Sequence, residues 1–587
     1  MKRTTRISLL FLLLSLFSLS LRATEPDARY LSLEVRYTLQ NDGSWTQDVS
    51  RSIKLLSSAS FNDLFGESFL LYNPNFQKLT ILKSQTTMAD GTKVETPKNG
   101  YIDQLPFEAH GFADFSQLRE MVVSHTGLEI GAVIDLSYRI ETSAGFLPYF
   151  TVQESLAYSM PVESLTVLFD TPREIALKLN TSLGEVSRTE RGDRILYSLK
   201  LKDLPPTPYE GSVSGGRPLI VASTAPDTKT ALVPFLTIGD IGPSLKREAE
   251  RLLTENSSPQ DCLLALQSWI DSRLQTAPLS PALCGLPRQD AERIWSSGYG
   301  TPWEKRALFL KMAETMKLPH KLFFCEEFAG FEKAPTFLAA EKLLLRSSGD
   351  DPLYIDPLSS SSPLFPSGKG GLRLIDPYTG SAETLPPERP QDNALVVSGT
   401  GSWSPTMSDL SLKVSLSGEW LDYRTARKDA KEAVRKALAN IIPGFQCETL
   451  NLTRLTPRSL EGTVTAKASL AKENTPRNYL WEIPSPNQGL SLIAPPTRAL
   501  PLSLTPTLLN FSVTLNLPKG SLPLMTLQER SGKKWRYSLK QEGERLLWEV
   551  SWAQEDPLVT PQGYKLFREL WLPLYSLKRA ALIRLPE

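Results

Sequence analysis

Thiol and imidazole side chains are scarce in this sequence, and they limit the chemistry that it could perform. A thiol acts as a nucleophile when a nearby histidine takes its proton and a carboxylate orients that histidine. The residues of these two types are Cys262, Cys284, Cys325, Cys447, His110, His125 and His320. They form no CxxC motif and no Cys/His cluster, so we expect no metal site and no cofactor. The cysteines are expected as buried thiols, or with one disulfide among the first three.

A second candidate segment for chemistry is residues 298–307, Gly-Tyr-Gly-Thr-Pro-Trp-Glu-Lys-Arg-Ala. Thr301 and Glu304 have the spacing of a capping box, in which each side chain accepts a hydrogen bond from the other residue's backbone. Pro302 falls on the first helical position, where proline is preferred. The pattern predicts a helix over 301–316 that begins at these residues.

The order of segments along the chain resembles the bacterial exported transglutaminase-like proteins. These have an N-terminal β domain of unknown function, a papain-like transglutaminase core and a C-terminal β domain. In that family a Gly-x-Gly pattern is followed, after one residue, by a catalytic cysteine that opens a helix. The segments that carry the resemblance are residues 114–117, 127–138, 298–307, 498–501 and 515–520.

The resemblance implies that the catalytic residues of the core are degenerate. Pro302 stands at the position of the family's cysteine, and residues 337–345, where the family has its histidine, contain none. Asp356, in Tyr-Ile-Asp-Pro, matches the family's third residue, but without the histidine a turn or strand-end role is the favoured interpretation. If a cleft is retained, Tyr299, Trp303 and Asp356 are the candidate binding residues.

Three functions remain open at this point. The first is a non-catalytic protein that binds or scaffolds an envelope protein, a peptide or a glycan. The second is a thiol-dependent peptidase or transglutaminase that uses a displaced cysteine, Cys284 or Cys325. The third is a purely structural core whose cleft is filled. A Cys–His hydrogen bond separates the second from the first, and an open groove near Pro302 and Asp356 separates the first from the third.

The elements that must position these residues fall into three zones, which predict an α+β multidomain protein. Alternating apolar and polar residues predict an antiparallel β-sandwich over 24–230. Helical spacing followed by short strands predicts a papain-like, transglutaminase-type α+β core over 240–392. The zone 393–587 is predicted to be β-rich with one long helix over 422–442. The clearest alternating segments are residues 31–37, 132–138, 163–169, 195–201, 410–416 and 511–517.

Composition excludes several classes of protein. Apolar residues make up 41% and charged residues 22% of the chain, which is typical of a globular protein rather than a disordered one. The 65 Lys and Arg nearly balance the 64 Asp and Glu. Because nucleic-acid binding relies on a basic excess, we expect no nucleic-acid partner.

The first 23 residues have the pattern of a bacterial signal peptide. Lys2, Arg3 and Arg6 precede a short apolar run over 7–19, and Ala23 supplies a small residue for cleavage. The run is short for a membrane span, and no later segment is both long and apolar enough. We therefore expect a periplasmic or secreted protein with no transmembrane segment after cleavage.

Overall fold

The computed structural model of this protein describes most of the chain after the predicted signal peptide. The signal-peptide prediction lies outside the described residues. The described residues are 26–207, 209–211, 216–286, 289–326, 329–340, 342–361, 364, 370–470, 472–475, 477–482, 490–524, 529–576 and 580–586.

The described residues form ten α-helices and a larger number of β-strands, so the prediction of a mixed, β-rich α+β protein is confirmed. The helices are α1 Thr228–Leu236, α2 Pro243–Glu255, α3 Pro259–Arg273, α4 Pro281–Cys284, α5 Ala291–Ser297, α6 Pro302–Thr315, α7 Tyr423–Lys428, α8 Ala430–Ala439, α9 Leu490–Ile493 and α10 Pro561–Ser576.

The strands of the first half of the chain are β1 Ala28–Leu39, β2 Trp45–Leu55, β3 Glu67–Tyr72, β4 Gln77–Thr87, β5 Lys93–Glu95, β6 Tyr101–Gln104, β7 Arg119–Ser124, β8 Val133–Thr142, β9 Thr151–Ser155, β10 Val162–Pro172, β11 Lys178–Thr181, β12 Ser187–Arg191, β13 Arg194–Leu204, β14 Leu219–Ser223, β15 Gln275–Thr276 and β16 Tyr299–Gly300.

Those of the second half are β17 His320–Cys325, β18 Leu343–Ser347, β19 Tyr354–Ile355, β20 Arg373–Ile375, β21 Ala382–Thr384, β22 Ala394–Ser402, β23 Ser408–Ser417, β24 Gln446–Leu455, β25 Ser459–Ala468, β26 Lys472–Thr475, β27 Asn478–Glu482, β28 Leu502–Ser503, β29 Thr507–Asn516, β30 Leu522–Pro523, β31 Glu529–Ser531, β32 Trp535–Glu542, β33 Arg545–Gln554, β34 Leu558–Val559 and β35 Ala580–Arg584.

Contacts divide the chain into two compact units. Unit 1 contains residues 1–208, 218–224 and 277–288, and unit 2 contains residues 209–217, 225–276 and 289–587. The three domain ranges expected from the sequence, 24–230, 240–392 and 393–587, stay predictions.

Unit 1 consists of one large sheet and two small ones. The large sheet has the strand order β12-β13-β10-β1-β2-β8-β4-β5, and the small sheets are β3-β7-β6 and β11-β14-β9. The inner face of the large sheet is apolar at alternating positions, as in β1, where Leu33, Val35 and Tyr37 are buried. This alternation was predicted, because successive strand residues point to opposite faces.

The prediction of a purely antiparallel N-terminal sandwich was wrong in one respect. Strands β1 and β10 pair in parallel, with Leu33 opposite Leu165 and Tyr37 opposite Phe169. A parallel pair needs a long connection, and here more than 120 residues separate the two strands. Alternation within each strand carries no information about such a distant pairing.

In unit 2, helix α6 is the central element of the helical region. It packs against α1, α2, α3 and α5. Its residues from Trp303 to Leu310 are all buried, including Glu304 and Lys305. A helix that is buried on all sides has no solvent-facing stripe, so its position follows from its neighbours. A five-stranded sheet of order β19-β18-β17-β20-β21 follows it along the chain.

The C-terminal part of unit 2 is built on an eight-stranded sheet of order β24-β25-β23-β22-β29-β33-β32-β31. One pair of its strands, β22 and β29, is again parallel. Smaller sheets, β26-β27-β35-β30 and β28-β34, accompany it. The indole rings of Trp403, Trp481 and Trp548 pack against one another in the core of this region.

The single long helix predicted over 422–442 was wrong. The segment forms two short helices, α7 and α8, separated by Asp429, which has extended backbone angles. The Asp429 side chain accepts a hydrogen bond from the Glu432 backbone at 3.1 Å and thereby caps α8. The longest helix of this region is instead α10, at a place where no helix was predicted.

Among the described residues, no helix combines the length and the hydropathy needed to cross a membrane.

Candidate functional site

The N-terminus of α6 has the geometry that the sequence predicts. The Glu304 backbone N–H donates to the Thr301 hydroxyl at 3.2 Å, and the Thr301 backbone N–H donates to Glu304 Oε2 at 2.7 Å. Pro302 occupies the first turn of the helix, as expected. The helix start that the resemblance matches to a catalytic cysteine is therefore a completed cap, and its first helical residue, Pro302, carries no nucleophilic atom.

Glu304 also forms a hydrogen bond to the segment that precedes α5. Its Oε1 atom accepts a hydrogen bond from the Gln289 backbone at 2.9 Å, while Oε2 belongs to the capping box. The side chain is 1% exposed. A buried carboxylate requires such partners, since an unsatisfied charge in the interior is costly. Glu304 thus has a structural role that occupies both of its oxygens.

An aromatic cluster covers the next residue, Trp303. Its ring centroid lies 5.6 Å from that of Phe235 on α1 and 5.9 Å from that of Phe337. Phe235 and Phe337 are themselves 4.1 Å apart. All three are buried, with Trp303 7% exposed. The start of α6 and the segment 337–345 are thus in contact, through the rings of Trp303 and Phe337.

Lys305 is buried one position further along the helix. Its ammonium donates to the Leu274 carbonyl and to the Thr276 hydroxyl, both at 2.8 Å. Burial lowers the pKa of Lys305, while the nearby carboxylate of Asp271 acts in the opposite direction. These bonds join α6 to the end of α3 and to β15. Sequence reasoning missed Lys305, because a lysine near a helix start is usually solvated.

Asp356 lies directly after β19, in a turn. Its carboxylate Oδ1 accepts a hydrogen bond from the Leu358 backbone at 2.9 Å, and its backbone carbonyl accepts one from the Gln267 side-chain amide. The same amide donates to the Ser359 carbonyl at 2.8 Å. Asp356 therefore has the turn role that was one of its two interpretations.

The loop that begins at Asp356 also contacts the end of α3. The Ser360 backbone donates to Asp271 Oδ2 at 2.9 Å, and the Ser360 hydroxyl donates to the same atom. Burial opposes the charge of Asp271, but the bonds from Ser360 and the charges of Lys305 and Arg424 together lower its pKa. A polar connection thus runs from the Asp356 loop through Asp271 towards Lys305 on α6.

The three predicted binding residues differ in exposure. Tyr299 is 8% exposed and lies on β16, paired in parallel with Gln275 of β15. Trp303 is buried in the aromatic cluster, and Asp356 is half-buried. Two of the three candidates therefore have little surface with which to contact a ligand.

The cysteines are all free thiols, so the disulfide considered among Cys262, Cys284 and Cys325 is absent from the structure. Cys325 and His320 occupy opposite ends of β17. Five residues of strand span roughly 16 Å, which is too far for a hydrogen bond between them. His125 lies in unit 1, where its Nε2 atom is 2.7 Å from the Ser68 hydroxyl.

The pKa values of two thiols are also unfavourable for catalysis. Burial raises the pKa of the Cys262 thiol, and the neighbouring Asp261 raises it further. Burial is likewise the main cause that raises the pKa of Cys447. Because the thiolate is the reactive form, a raised pKa reduces reactivity at neutral pH. In the part of the chain that the structure describes, no group of three or more His, Cys, Asp or Glu is placed to hold a metal ion.

Comparison with protein families places one recognised domain in the chain. Residues 41–208 match the family model of DUF3857, a domain of unknown function with a solved structure. No protein with a curated description matches the sequence.

Comparison with solved structures shows a shared fold over nearly the whole chain. The crystal structure of a "putative protease" from Parabacteroides distasonis aligns with 95% of this chain and 99% of its own, with a TM-score of 0.72. The two sequences are 22% identical. At this identity the likeness concerns the fold alone.

Two zinc peptidases match much shorter parts. An M1 zinc metallopeptidase from Deinococcus radiodurans is 13% identical over 43% of this chain and 57% of its own, with a TM-score of 0.18. A two-domain M1 zinc metallopeptidase bound to L-tryptophan is 15% identical over 33% and 42%, with a TM-score of 0.19. Scores this low support no conclusion about fold or function.

Proposed function

We propose that this chain is a non-catalytic, transglutaminase-like protein of the bacterial envelope that binds or scaffolds a peptide, protein or glycan in the periplasm. The observation that carries this proposal is the completed capping box around Pro302. A papain-like nucleophile needs a thiolate at a helix N-terminus, where the helix dipole lowers its pKa. Here that position holds a proline, and the two side chains beside it are used in the cap.

The packing around Trp303 supports the same proposal. Trp303, which follows Pro302, and Phe337, in the segment that the resemblance matches to the histidine, pack together with Phe235. An aromatic cluster of this kind contributes apolar burial and ring–ring contacts to stability. We infer that the core serves as a scaffold and that ligand contacts use other surfaces of the protein.

A second candidate function is a thiol-dependent peptidase or transglutaminase that uses a displaced cysteine. The observation in its favour is the description of the structurally similar Parabacteroides distasonis protein as a "putative protease". Against it stand the burial of Cys325 and the raised pKa values of Cys262 and Cys447. Cys284 ends the short helix α4 rather than opening one, so it lacks the helix N-terminus that activates a thiol.

The two candidates are separated by assaying the purified protein with an amine donor and a glutamine peptide, and with casein as a peptidase substrate. Parallel samples are treated with iodoacetamide, which alkylates accessible thiols. We expect no transamidation and no hydrolysis in either sample. Turnover that iodoacetamide abolishes would overturn the non-catalytic proposal, and Cys284→Ser and Cys325→Ser variants would then identify the nucleophile.

Export to the periplasm is tested separately. The basic start and the short apolar run over 7–19 support cleavage near Ala23. Mass spectrometry of the protein from a periplasmic extract should find an N-terminus near Thr24. An intact Met1 in a membrane fraction would contradict cleavage.

A further inference from the structure

Strand β3 is apolar on both of its faces. Phe69, Leu70 and Leu71 follow one another in its sequence, whereas a strand with one face in solvent alternates apolar and polar residues. Leu70 is buried, but Phe69 and Leu71, which point to the other side, are 58% and 42% exposed. The core of unit 1 therefore accounts for one apolar face of β3 and leaves the second without a partner.

The buried face of the sheet β3-β7-β6 belongs to the core of unit 1. Leu70 of β3 and Val123 of β7 form a buried cluster with Leu136 of the large sheet. Tyr101 of β6 and Met121 of β7 pack against the same cluster. Because successive residues of a strand point to opposite faces, the neighbours of these residues in sequence lie on the outward face of the small sheet.

The register brings apolar residues of all three strands together on this outward face. Phe69 of β3 is opposite Val122 of β7, and Val122 is opposite Ile102 of β6. Ile102 is 48% exposed, and Val122, which lies between Phe69 and Ile102, is buried. Single exposed apolar side chains are ordinary, but a contiguous group of them on one sheet face is typical of an interaction surface.

The charged residues of the outward face are all acidic. Glu67 Oε1 accepts a hydrogen bond from the Ser124 hydroxyl at 3.0 Å, and Glu120 Oε2 accepts one from the Gln104 amide at 2.9 Å. Neither carboxylate forms an ion pair with a described lysine or arginine. The positions that make up the face in the three strands are Glu67, Phe69, Leu71, Ile102, Gln104, Glu120, Val122 and Ser124, with no basic residue among them.

The two carboxylates flank the apolar residues along the strand direction. Ser124, opposite Glu67, is four residues from Glu120 along β7. With a rise of about 3.4 Å per residue and a strand spacing of about 4.8 Å, the two acidic positions are roughly 14 Å apart. An extended chain covers this distance in about four residues, and its alternate residues lie on one face. The outward face therefore matches an extended segment with basic residues four positions apart and an apolar residue midway.

We propose that the outward face of the sheet β3-β7-β6 binds an extended polypeptide segment in which two basic residues, four positions apart, flank a central apolar residue. The central side chain packs on Phe69, Leu71 and Ile102. The two basic side chains pair with Glu67 and Glu120. The proposal rests on the binding function proposed above and deepens it by naming the surface and the chemistry of the partner, and it involves unit 1 only.

Charge favours this partner over two others. A second copy of this chain would bring the same carboxylates to the same face, and like charges placed together are unfavourable. The anionic surface of a membrane would meet the same repulsion. A basic segment instead is attracted by the two uncompensated carboxylates, while burial of apolar surface supplies affinity.

The test is isothermal titration calorimetry of the full mature chain with three peptides. The first, Ser-Lys-Thr-Phe-Thr-Lys-Ser, has the proposed pattern. The second has glutamate in place of both lysines, and the third has serine in place of phenylalanine. We expect the first peptide to bind, and each of the other two to bind at least roughly tenfold more weakly, a difference of about 1.4 kcal/mol. Equal binding of either altered peptide, or no binding of the first at millimolar concentration, would overturn the proposal.

Variants then test the named residues. Phe69→Ser should weaken binding of the first peptide by at least roughly tenfold, and Glu120→Gln should weaken it several-fold. The matched controls are Leu566→Ser, at an exposed leucine of unit 2, and Glu34→Gln, at an exposed carboxylate of β1. Both controls should bind the peptide as the wild type does. Wild-type affinity in Phe69→Ser would overturn the site assignment.

Two further measurements address the other occupants. Sedimentation velocity detects association of two copies, and flotation with vesicles of phosphatidylglycerol and phosphatidylethanolamine detects membrane binding. We expect the wild type and Phe69→Ser to behave alike in both measurements. Self-association or vesicle binding that Phe69→Ser abolishes would overturn the choice of a basic polypeptide as the partner.

The outcome does not depend on one variant. If Phe69→Ser does not fold, as judged by circular dichroism, Glu120→Gln and the comparison of the three peptides on the wild-type chain decide the question. The outcome is also separate from the test of the proposed function. Thiol-dependent turnover would overturn the non-catalytic proposal and leave the peptide titrations unaffected, whereas failed titrations would leave the absence of turnover unaffected.

Discussion

Thr301 and Glu304 hold each other in place at the start of α6. Each side chain accepts a hydrogen bond from the other's backbone, at 3.2 Å to the Thr301 hydroxyl and at 2.7 Å to Glu304 Oε2. Pro302 lies between them at the position that the family resemblance assigns to a catalytic cysteine. A mutual cap stabilises the helix start, and it needs neither a thiol nor a ligand.

The cap predicts a measurable loss of stability in Thr301→Ala. The variant removes the acceptor for the Glu304 backbone N–H, and we expect the free energy of unfolding to fall by about 1 kcal/mol. Urea unfolding monitored by tryptophan fluorescence measures it. Thr301→Ser keeps a hydroxyl at the same position and is the matched control. Equal stability of the alanine and serine variants would contradict a role for the cap.

Pro302→Cys should not create an enzyme. The new thiol would stand at a helix N-terminus, but the aromatic side chain of Phe337 lies near Trp303, and residues 337–345 contain no histidine to take the proton. Because a catalytic triad acts as a unit, restoring one member recovers little activity. We expect no transamidation and a stability loss of roughly 0.5–1 kcal/mol. Turnover in this variant that is absent from wild type would show that a base is within reach.

The aromatic cluster should be a major contributor to the stability of unit 2. Phe337→Ala removes a ring that is 2% exposed and contacts both Phe235 and Trp303. We expect a loss of about 3–5 kcal/mol in the free energy of unfolding. The control is Phe107→Ala, at a ring that is 81% exposed, which should change stability by less than about 0.5 kcal/mol. Similar effects of the two substitutions would rule out a structural role for the cluster.

His125 should make the stability of the protein depend on pH. Burial, reinforced by the positive charge of Arg51, lowers its pKa from the ordinary 6.5 of histidine to about 4. Above pH 6.5 the imidazole is neutral in both the folded and the unfolded chain, and the full stability is present. Between pH 6.5 and 4 the unfolded chain binds a proton that the folded chain does not, so the free energy of unfolding decreases by about 3 kcal/mol in all.

That dependence is measured by urea unfolding of the wild type and of His125→Gln at pH 7 and at pH 4.5. The difference between the two proteins isolates this histidine, because the other titrating groups are common to both. The decrease in stability on acidification should be smaller in the variant by 2 kcal/mol or more, according to the linkage of pKa to stability. His110→Gln, at an exposed histidine, is measured in parallel as the matched substitution. Parallel profiles for wild type and His125→Gln would contradict the prediction.

Helix starts depend on residues within one turn of the chain, and the sequence can predict them. The start of α6 was predicted from Thr301, Pro302 and Glu304, and the Thr301 hydroxyl does accept a hydrogen bond from the Glu304 backbone at 3.2 Å. The break at Asp429 was missed although its signal is local. An aspartate followed three residues later by Glu432 has the spacing of a helix cap, but it stood within a longer helical pattern.

The sequence by itself determined the β-rich α+β class, the alternating strands and the cap at Thr301, Pro302 and Glu304. These follow from interactions within about four residues, or from the two-residue period of a strand. Only the tertiary structure decided the parallel pairing of β1 with β10, the burial of Lys305 and the contact of Trp303 with Phe235. These residues lie far apart in sequence, and their proximity depends on strand register and on the packing of distant elements, which no local pattern specifies.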